Sequence, residues 1–218
     1  MRNLKLAFRT LARTPFVTAV AVLSLGLGVG ANSAIYSIFY RMMRQELPVA
    51  GADRLVNFSA PGPKNGGASC GRAGWCEDVF SYPMFRDLQK AKLAAFTAVA
   101  GHRDFGANVS YERRAWASGG YLVSGTYFQV LQIRPALGRL LSPPDDDAAA
   151  APAVVLAYWF WEANLGANPT VIGKTLMVNG KATTIVGVAP EDFNGTTYGS
   201  RPAFYSALAM GPTIATGM

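Results

Sequence analysis

Apolar residues form one long uninterrupted run near the start of the chain. Phe16–Tyr40 contains twenty-five consecutive residues without a charged side chain. A helix packed on a soluble core needs only one apolar stripe, whereas a helix of about 20 apolar residues spans a hydrocarbon layer about 30 Å thick. The pattern therefore predicts a transmembrane helix over residues 16–43.

Charged residues flank this run unevenly. Four basic side chains precede it and two follow it, and residues 1–44 contain no acidic residue. This asymmetry predicts that residues 1–15 form a cytoplasmic amphipathic segment and that residues 44–218 form an exported, periplasmic domain. The rest of the chain holds 14 basic and 13 acidic residues, so the net charge of +7 orients the chain at a membrane and does not indicate nucleic-acid binding.

A cleaved signal peptide is the alternative interpretation of this run. The basic start and a small-residue exit near Ala31 suit such a peptide. However, the run is longer than the apolar region of about 7–15 residues in signal peptides, and it continues through Ile35–Tyr40. We therefore expect an uncleaved helix, while a shortened mature chain would favour the signal peptide.

Small residues within the run predict helix packing. Gly26, Gly28 and Gly30 imitate the start of a dinucleotide-binding fingerprint, but the third glycine is displaced and no acidic residue follows at the required distance. In a membrane, the spacing of Gly26 and Gly30 lets a second helix approach closely. Asn32 is expensive against lipid, so we expect it to face that neighbour or the local backbone, although a position near the outer interface is an alternative.

The two cysteines, Cys70 and Cys76, lie in a glycine-rich stretch. On the exported side of a membrane, two cysteines this close predict a disulfide that pins a loop, with two free thiols as the alternative. A metal site is disfavoured because the spacing is not Cys-x-x-Cys and the sole histidine, His102, is remote in sequence. We expect His102 to be structural or at the surface.

Short runs of alternating or β-branched residues predict an α+β domain after the helix. Asn179-Gly180 between two β-rich runs indicates a tight hairpin, because both residues tolerate positive φ. Ser81 should cap a helix that has Pro83 in its first turn. The other predicted elements are strands at Arg54–Ser59, Phe96–His102, Ala115–Ser124 (with a bend or bulge at Gly119-Gly120) and Ala153–Ala157, and helices at Thr126–Ile133 and Tyr158–Asn164.

The side chains that could carry out chemistry do not form a known catalytic pattern. Gly173-Lys174-Thr175 resembles the end of a phosphate-binding loop, but it leads into the predicted hairpin rather than into a helix. Asp145–Asp147 lacks the spacing of calcium ligands and is interpreted as a solvated loop. A single histidine offers little for nucleophilic catalysis. We therefore predict no enzyme, no cofactor and no metal.

Five segments in order resemble the FtsX-like permease family, specifically its MacB type with a periplasmic core domain. They are the entry segment with Gly28, Gly30 and Asn32 (one place off the family spacing), and SYPMFRDLQ, GTYFQVLQIRPALGRLLSPPD, VVLAYWFWEANLGANPTVIGKTLMVNG and IVGVAPEDF. The chain is most similar to the stand-alone permeases common in acidobacteria, which lack a fused ATPase.

The resemblance implies a function in a bacterial inner membrane. A separate cytoplasmic ABC ATPase would drive the membrane helices, and their motion would be relayed to the periplasmic domain and a possible periplasmic partner. Members of the family continue with three more membrane helices, so this chain is expected to be truncated and to need further permease helices or a second permease copy. The alternative function is a single-pass membrane-anchored binding or scaffold domain without transport activity.

Overall fold

The protein divides into two compact units in a computed structural model. The structure describes residues 13–44, 49–60, 79–91, 95–197 and 199–215. The first unit is Met1–Glu46 and the second, called the folded unit below, is Leu47–Met218.

A single long helix, α1 (Pro15–Arg44), makes up the described part of the first unit. Its portion Pro15–Tyr40 is long and apolar enough to cross a membrane, and its apolar side chains are exposed. The helix confirms the predicted apolar N-terminal element. A signal sequence near the N-terminus can have the same length and apolar composition as this helix.

The described residues of the folded unit form seven strands and several short helices, which confirms the predicted α+β class. Its helices are α2 (Tyr82–Lys90), α3 (Tyr127–Val130), α4 (Tyr158–Leu165) and α5 (Gly211–Ile214). Its strands are β1 (His102–Tyr111), β2 (Arg114–Val123), β3 (Leu137–Gly138), β4 (Ala153–Leu156), β5 (Thr175–Val178), β6 (Lys181–Val188) and β7 (Phe204–Ala207). Short 3-10 turns lie at Ala52–Arg54, Pro143–Asp146, Pro169–Val171 and Leu208–Met210.

Six of these strands pair in a closed ring. The order is β6-β4-β7-β2-β1-β5, and β5 pairs back to β6, while β3 extends one edge of β6. The pairs β2–β7 and β4–β6 are parallel and the others are antiparallel. Few residues close the ring between β1 and β5, because these strands pair only at Val109↔Val178 and Ser110↔Met177.

A cluster of buried apolar side chains, called the inner cluster, fills the interior of the ring. All six strands of the ring contribute side chains to it. Phe160 of α4 and Met210 and Ile214 of the C-terminal segment also belong to this cluster. The members from the strands are Phe105, Ala107, Val109, Leu122, Val154, Leu156, Leu176, Val178, Ile185, Val188, Phe204 and Ala207. Burial of these side chains stabilises the ring by the hydrophobic effect.

The outer cluster lies on the opposite face of three strands, β2, β4 and β7. Alternation along each strand separates the two clusters, since Tyr205 of β7 faces outward while Phe204 faces inward. The short helix α3 and the segment after β6 cover this face. The cluster consists of Tyr121, Val123, Tyr127, Phe128, Leu131, Leu141, Ala153, Val155, Ala157, Ala189, Phe193 and Tyr205.

Two local predictions are confirmed in detail. Ser81 precedes α2, and its hydroxyl accepts a hydrogen bond from the amide of Met84. Asn179 and Gly180 join β5 to β6 with φ values of 47° and 76°, as a tight primed turn requires. The helices at α3 and α4 and the strand β4 also lie where the sequence predicts them.

Three local predictions are wrong. Arg54–Ser59 forms no strand, because β preference needs a neighbouring strand and none of the described strands pairs with it. The strand predicted at Phe96–His102 lies further along the chain, at His102–Tyr111. Its position was not predicted because polar residues at the outward positions of β1 interrupt the apolar pattern. Gly119 and Gly120 form neither bend nor bulge, because the register of β1 and β2 is continuous through them.

Candidate functional site

The start and the end of the folded unit pack against opposite faces of the same three strands, β2, β4 and β7. Near its start, Val49 and Leu55 pack against the outer cluster. Near its end, Met210 and Ile214 are buried in the inner cluster. Strands β2, β4 and β7 contribute side chains to both clusters and are hydrogen-bonded to one another. The start and the end of the folded unit therefore pack against the same part of the sheet.

Asp146 fastens the C-terminal end. Its side chain is only 4% exposed, and its two oxygens accept hydrogen bonds from the amides of Ala209 (2.9 Å) and Gly125 (3.2 Å). A guanidinium nitrogen of Arg86 on α2 lies 4.0 Å from the same carboxylate. One carboxylate thus joins three elements that are far apart in sequence. The prediction that Asp145–Asp147 is a solvated loop is wrong for Asp146.

Asp145 is also engaged rather than solvated. Arg139 donates two hydrogen bonds to its carboxylate, of 2.7 and 2.8 Å, and the amide and hydroxyl of Ser142 donate two more. The hydrogen bonds from Arg139, which have the largest effect, and those from Ser142 lower the pKa of Asp145, whereas burial raises it. The pair holds the 3-10 turn Pro143–Asp146 in place beside the neighbouring Asp146.

The lowered pKa of Asp145 predicts a loss of stability in acid. A carboxyl whose folded pKa lies below its unfolded value of about 3.9 stabilises the fold above that pH, and the contribution disappears as pH falls through the folded pKa. Because Arg139 is 54% exposed, we expect only about 1 kcal/mol. Urea unfolding at pH 7 and pH 2.5 should therefore show a smaller pH effect for Asp145→Asn than for the wild type. Arg139→Gln should behave alike, and an unchanged pH effect in both variants would contradict the assignment.

Asn179 fastens the same C-terminal end a second time. Its side-chain amide donates to the carbonyl of Ile214 at 2.7 Å, and its side-chain oxygen accepts from the amide of Asn108 at 2.8 Å. The backbone of Asn179 also donates to the carbonyl of Asn108. The turn residue therefore links the β5–β6 hairpin, β1 and α5.

His102 packs against tyrosines of the outer cluster. The His102 ring stacks on Tyr121 and lies 2.8 Å from the hydroxyl of Thr197, which fits the structural role predicted for it. Burial lowers the pKa of His102, while Asp104 opposes that shift. Burial also raises the pKa of Tyr127 and Tyr205, so these hydroxyls stay protonated. The group is a packed aromatic network without an activated nucleophile.

The candidate residues on α1 remain a prediction. Gly26, Gly30 and Asn32 lie on an exposed helix, and a methyl group added at either glycine meets no atom within 4 Å. Cys70 and Cys76 lie outside the described residues, so their predicted disulfide also stays a prediction.

Sequence reasoning missed the residues that fasten the C-terminal end. The three consecutive aspartates carry no signal that distinguishes the middle one, and Asn179 was recognised only as a turn residue.

A shallow cavity of about 410 Å³ adjoins Asp146 and is lined by Arg86, Gln89, Gly125, Thr126, Pro143, Pro144, Asp146 and Asp147. Among the described residues, no group of three or more His, Cys, Asp or Glu could hold a metal ion.

These features define a class: an α+β domain closed around a six-stranded ring, fastened at both ends, and joined to an N-terminal helix of membrane-spanning length. The family model of the MacB-like periplasmic core domain matches residues 18–215. The chain therefore belongs to this family of MacB-like periplasmic core domains. No curated protein matches the chain significantly.

Solved structures similar to this chain include a MacB periplasmic region and a YknZ extracellular domain. The periplasmic region of MacB from Actinobacillus actinomycetemcomitans is 22% identical, with a TM-score of 0.49, over 61% of this chain and 57% of that region. The extracellular domain of the noncanonic ABC-type transporter YknZ from Gram-positive bacteria is 15% identical, with a TM-score of 0.49, over 63% of this chain and 67% of that domain. The chain thus spans little more than half of the MacB region that it matches.

Proposed function

We propose that this chain is a membrane-anchored permease subunit of a MacB-like ABC transporter. In this proposal α1 spans a bacterial inner membrane, residues 1–15 are cytoplasmic, and the folded unit is periplasmic. A separate cytoplasmic ABC ATPase supplies the energy, and the chain relays the resulting motion without covalent chemistry of its own.

The family match carries this proposal. It begins at residue 18, inside α1, and ends at residue 215, after α5, so it includes the apolar helix together with the folded unit. A family defined by both parts supports a function that needs both, which is the coupling of a membrane helix to an external domain.

The fastened ends give this relay a physical basis. Motion of α1 would reach the folded unit through residues 47–55, whose Val49 and Leu55 pack on the outer cluster. The strands β2, β4 and β7 would pass it to the inner cluster and to the segment held by Asp146 and Asn179. Close-packed interiors deform little, so displacement at one end is transmitted rather than absorbed. A relay of this kind also needs two discrete arrangements that the ATPase favours differently.

Co-purification tests the function. The full-length chain should be expressed in membranes with each ABC ATPase encoded beside its gene, and we expect one of them to co-purify and to change its rate of ATP hydrolysis in the presence of the chain. If no ATPase is retained and hydrolysis is indifferent to the chain, the transporter proposal fails. The alternative, a single-pass anchored binding or scaffold domain, predicts that result.

Membrane topology can be tested separately. Reporter fusions at Gly51 and at the C-terminus should both report export, because the basic residues before α1 outnumber those after it four to two. A cytoplasmic signal from the C-terminal fusion would contradict the topology. N-terminal sequencing of the mature chain separates an anchored helix from a cleaved signal peptide, since cleavage near Ala31 would shorten the chain.

Helix packing in the membrane gives another prediction. Gly26→Leu and Gly30→Leu should reduce crosslinking of α1 to further permease helices or to a second permease copy, because association in lipid depends on close contact between small residues. Val22→Leu is the matched control, since Val22 is also exposed on the helix but already carries a branched side chain. Equal crosslinking for Gly30→Leu and Val22→Leu would show that the glycines are incidental. Asn32→Leu tests whether the amide contributes to the same interface.

A further inference from the structure

One edge of the ring is open where β2 extends beyond β7. Strand β2 has ten residues, and β7 pairs only with the last four of them, Gly120–Val123. Residues 114–118 therefore have β1 on one side and, among the described residues, no strand on the other. The open edge is defined here as residues 114–118 of β2.

Pro202 ends the pairing that would otherwise cover this edge. The amide of Ala203 donates to the carbonyl of Gly119 at 2.7 Å, which is the first hydrogen bond between the two chain segments. Pro202 has no amide hydrogen, and its carbonyl accepts from the indole of Trp159 at 2.8 Å. The chain before β7 thus turns toward α4 and leaves the edge.

The register identifies the unpaired backbone groups. The carbonyl of Gly119 points toward β7, and successive residues of a strand point to alternate sides. The amides and carbonyls of Ala115 and Ala117 therefore point to the open edge, whereas those of Trp116 and Ser118 point to β1. Ala115, Ala117 and Gly119 are all exposed, so water and other molecules can reach these groups.

Arginine residues lie near both ends of the open edge. Arg113 and Arg114 are exposed at the hairpin end, beside a single acidic residue, Glu112. Arg201 lies before Pro202, with its guanidinium over the ring of Trp159 at 4.7 Å. The edge therefore combines unpaired backbone donors and acceptors with a local excess of positive charge.

We propose that the open edge binds an extended acidic segment of a partner protein as an additional β-strand. Strand addition satisfies the unpaired groups of Ala115 and Ala117, and the arginines select acidic side chains. A second copy of this chain fits less well, because edge-to-edge pairing would bring the same arginines together. Such a surface gives the folded unit a specific contact with an external protein, and it is independent of whether an ATPase drives the chain.

A displayed library of random twelve-residue peptides tests the proposal with the full chain in lipid nanodiscs. We expect selected peptides to be rich in β-branched and acidic residues. Labelled copies should bind Ala117→Pro at least about tenfold more weakly, because proline removes the amide hydrogen that the added strand needs. Ala117→Ser keeps that hydrogen and should bind within about twofold of the wild type. Arg114→Glu should weaken binding of the acidic peptides without affecting basic ones.

Hydrogen exchange provides a readout that does not depend on the variants. The amides of Ala115 and Ala117 should exchange rapidly in the free chain and slowly with a selected peptide, while those of Trp116 and Ser118 should be protected in both. Unchanged exchange at Ala115 and Ala117, equal binding by Ala117→Pro, or no charge preference would overturn the proposal. A dimer that Ala117→Pro dissociates would also overturn it, in favour of a second copy at the edge.

Discussion

Gly120→Ala should lower the free energy of unfolding of the folded unit by about 3 kcal/mol, the upper part of the range for added volume in a packed core. A methyl group on Gly120 would collide with the ring of Phe204, at 2.7 Å from Cε1 and 2.9 Å from Cε2. Phe204 is fully buried and packs edge-on against Phe105 at 5.8 Å. Because these rings lie inside a closed ring of strands, neither can move aside cheaply.

Urea unfolding followed by tryptophan fluorescence measures this loss in the detergent-solubilised chain. All four tryptophans lie in the folded unit, so the signal reports its unfolding and not that of α1. Gly106→Ala is the matched control, since a methyl group on that strand glycine meets no atom within 4 Å. We expect it to be neutral or stabilising by up to about 1 kcal/mol. Similar losses for the two variants would show that Gly120 is not placed against Phe204.

Asp146→Ala should cost about 3 kcal/mol as well, for a different reason. It leaves the amides of Gly125 and Ala209 without an acceptor, and a buried donor without a partner costs about 1–3 kcal/mol. The C-terminal segment should then loosen first. We therefore expect faster amide exchange over Leu208–Ile214 than over the strands of the ring, in addition to the lower urea midpoint.

The neighbouring aspartate is the control for this prediction. Asp147 is exposed, and its side chain accepts a local hydrogen bond from the amide of Ala149, so Asp147→Ala should change stability by less than about 0.5 kcal/mol. Asp146→Asn keeps an acceptor oxygen and should lose less than Asp146→Ala. If the alanine variants at 146 and 147 unfold at the same urea concentration, Asp146 does not fasten the C-terminal end.

These two variants also bear on the proposed relay. If the fastened C-terminal end transmits motion, Asp146→Ala should weaken the effect of the chain on ATP hydrolysis at temperatures where the folded unit remains folded. Asp147→Ala should leave that effect unchanged. A loss of stability without a loss of coupling would limit Asp146 to a structural role and leave the family assignment untouched.

Local features of the sequence determined several elements completely. The charge-free run at Phe16–Tyr40 was sufficient for α1, because helix formation in a long apolar segment satisfies its own backbone groups. Ser81 with Pro83, and Asn179 with Gly180, fixed the start of α2 and the β5–β6 hairpin, since caps and primed turns depend on the φ preferences and side-chain oxygens of individual residues. The α+β class followed from how these signals alternate.

Only the tertiary structure decided how distant segments meet. β1 was misplaced because its outward residues Gly106, Asn108 and Ser110 resemble a loop until Phe105, Ala107 and Val109 are seen to face one core. Among three adjacent aspartates, burial and two distant amides select Asp146, and no local pattern encodes that choice. The open edge of β2 likewise depends on where Pro202 meets Gly119. Local preference acts over a few residues, whereas strand pairing, burial and polar satisfaction depend on partners that the folded chain alone brings together.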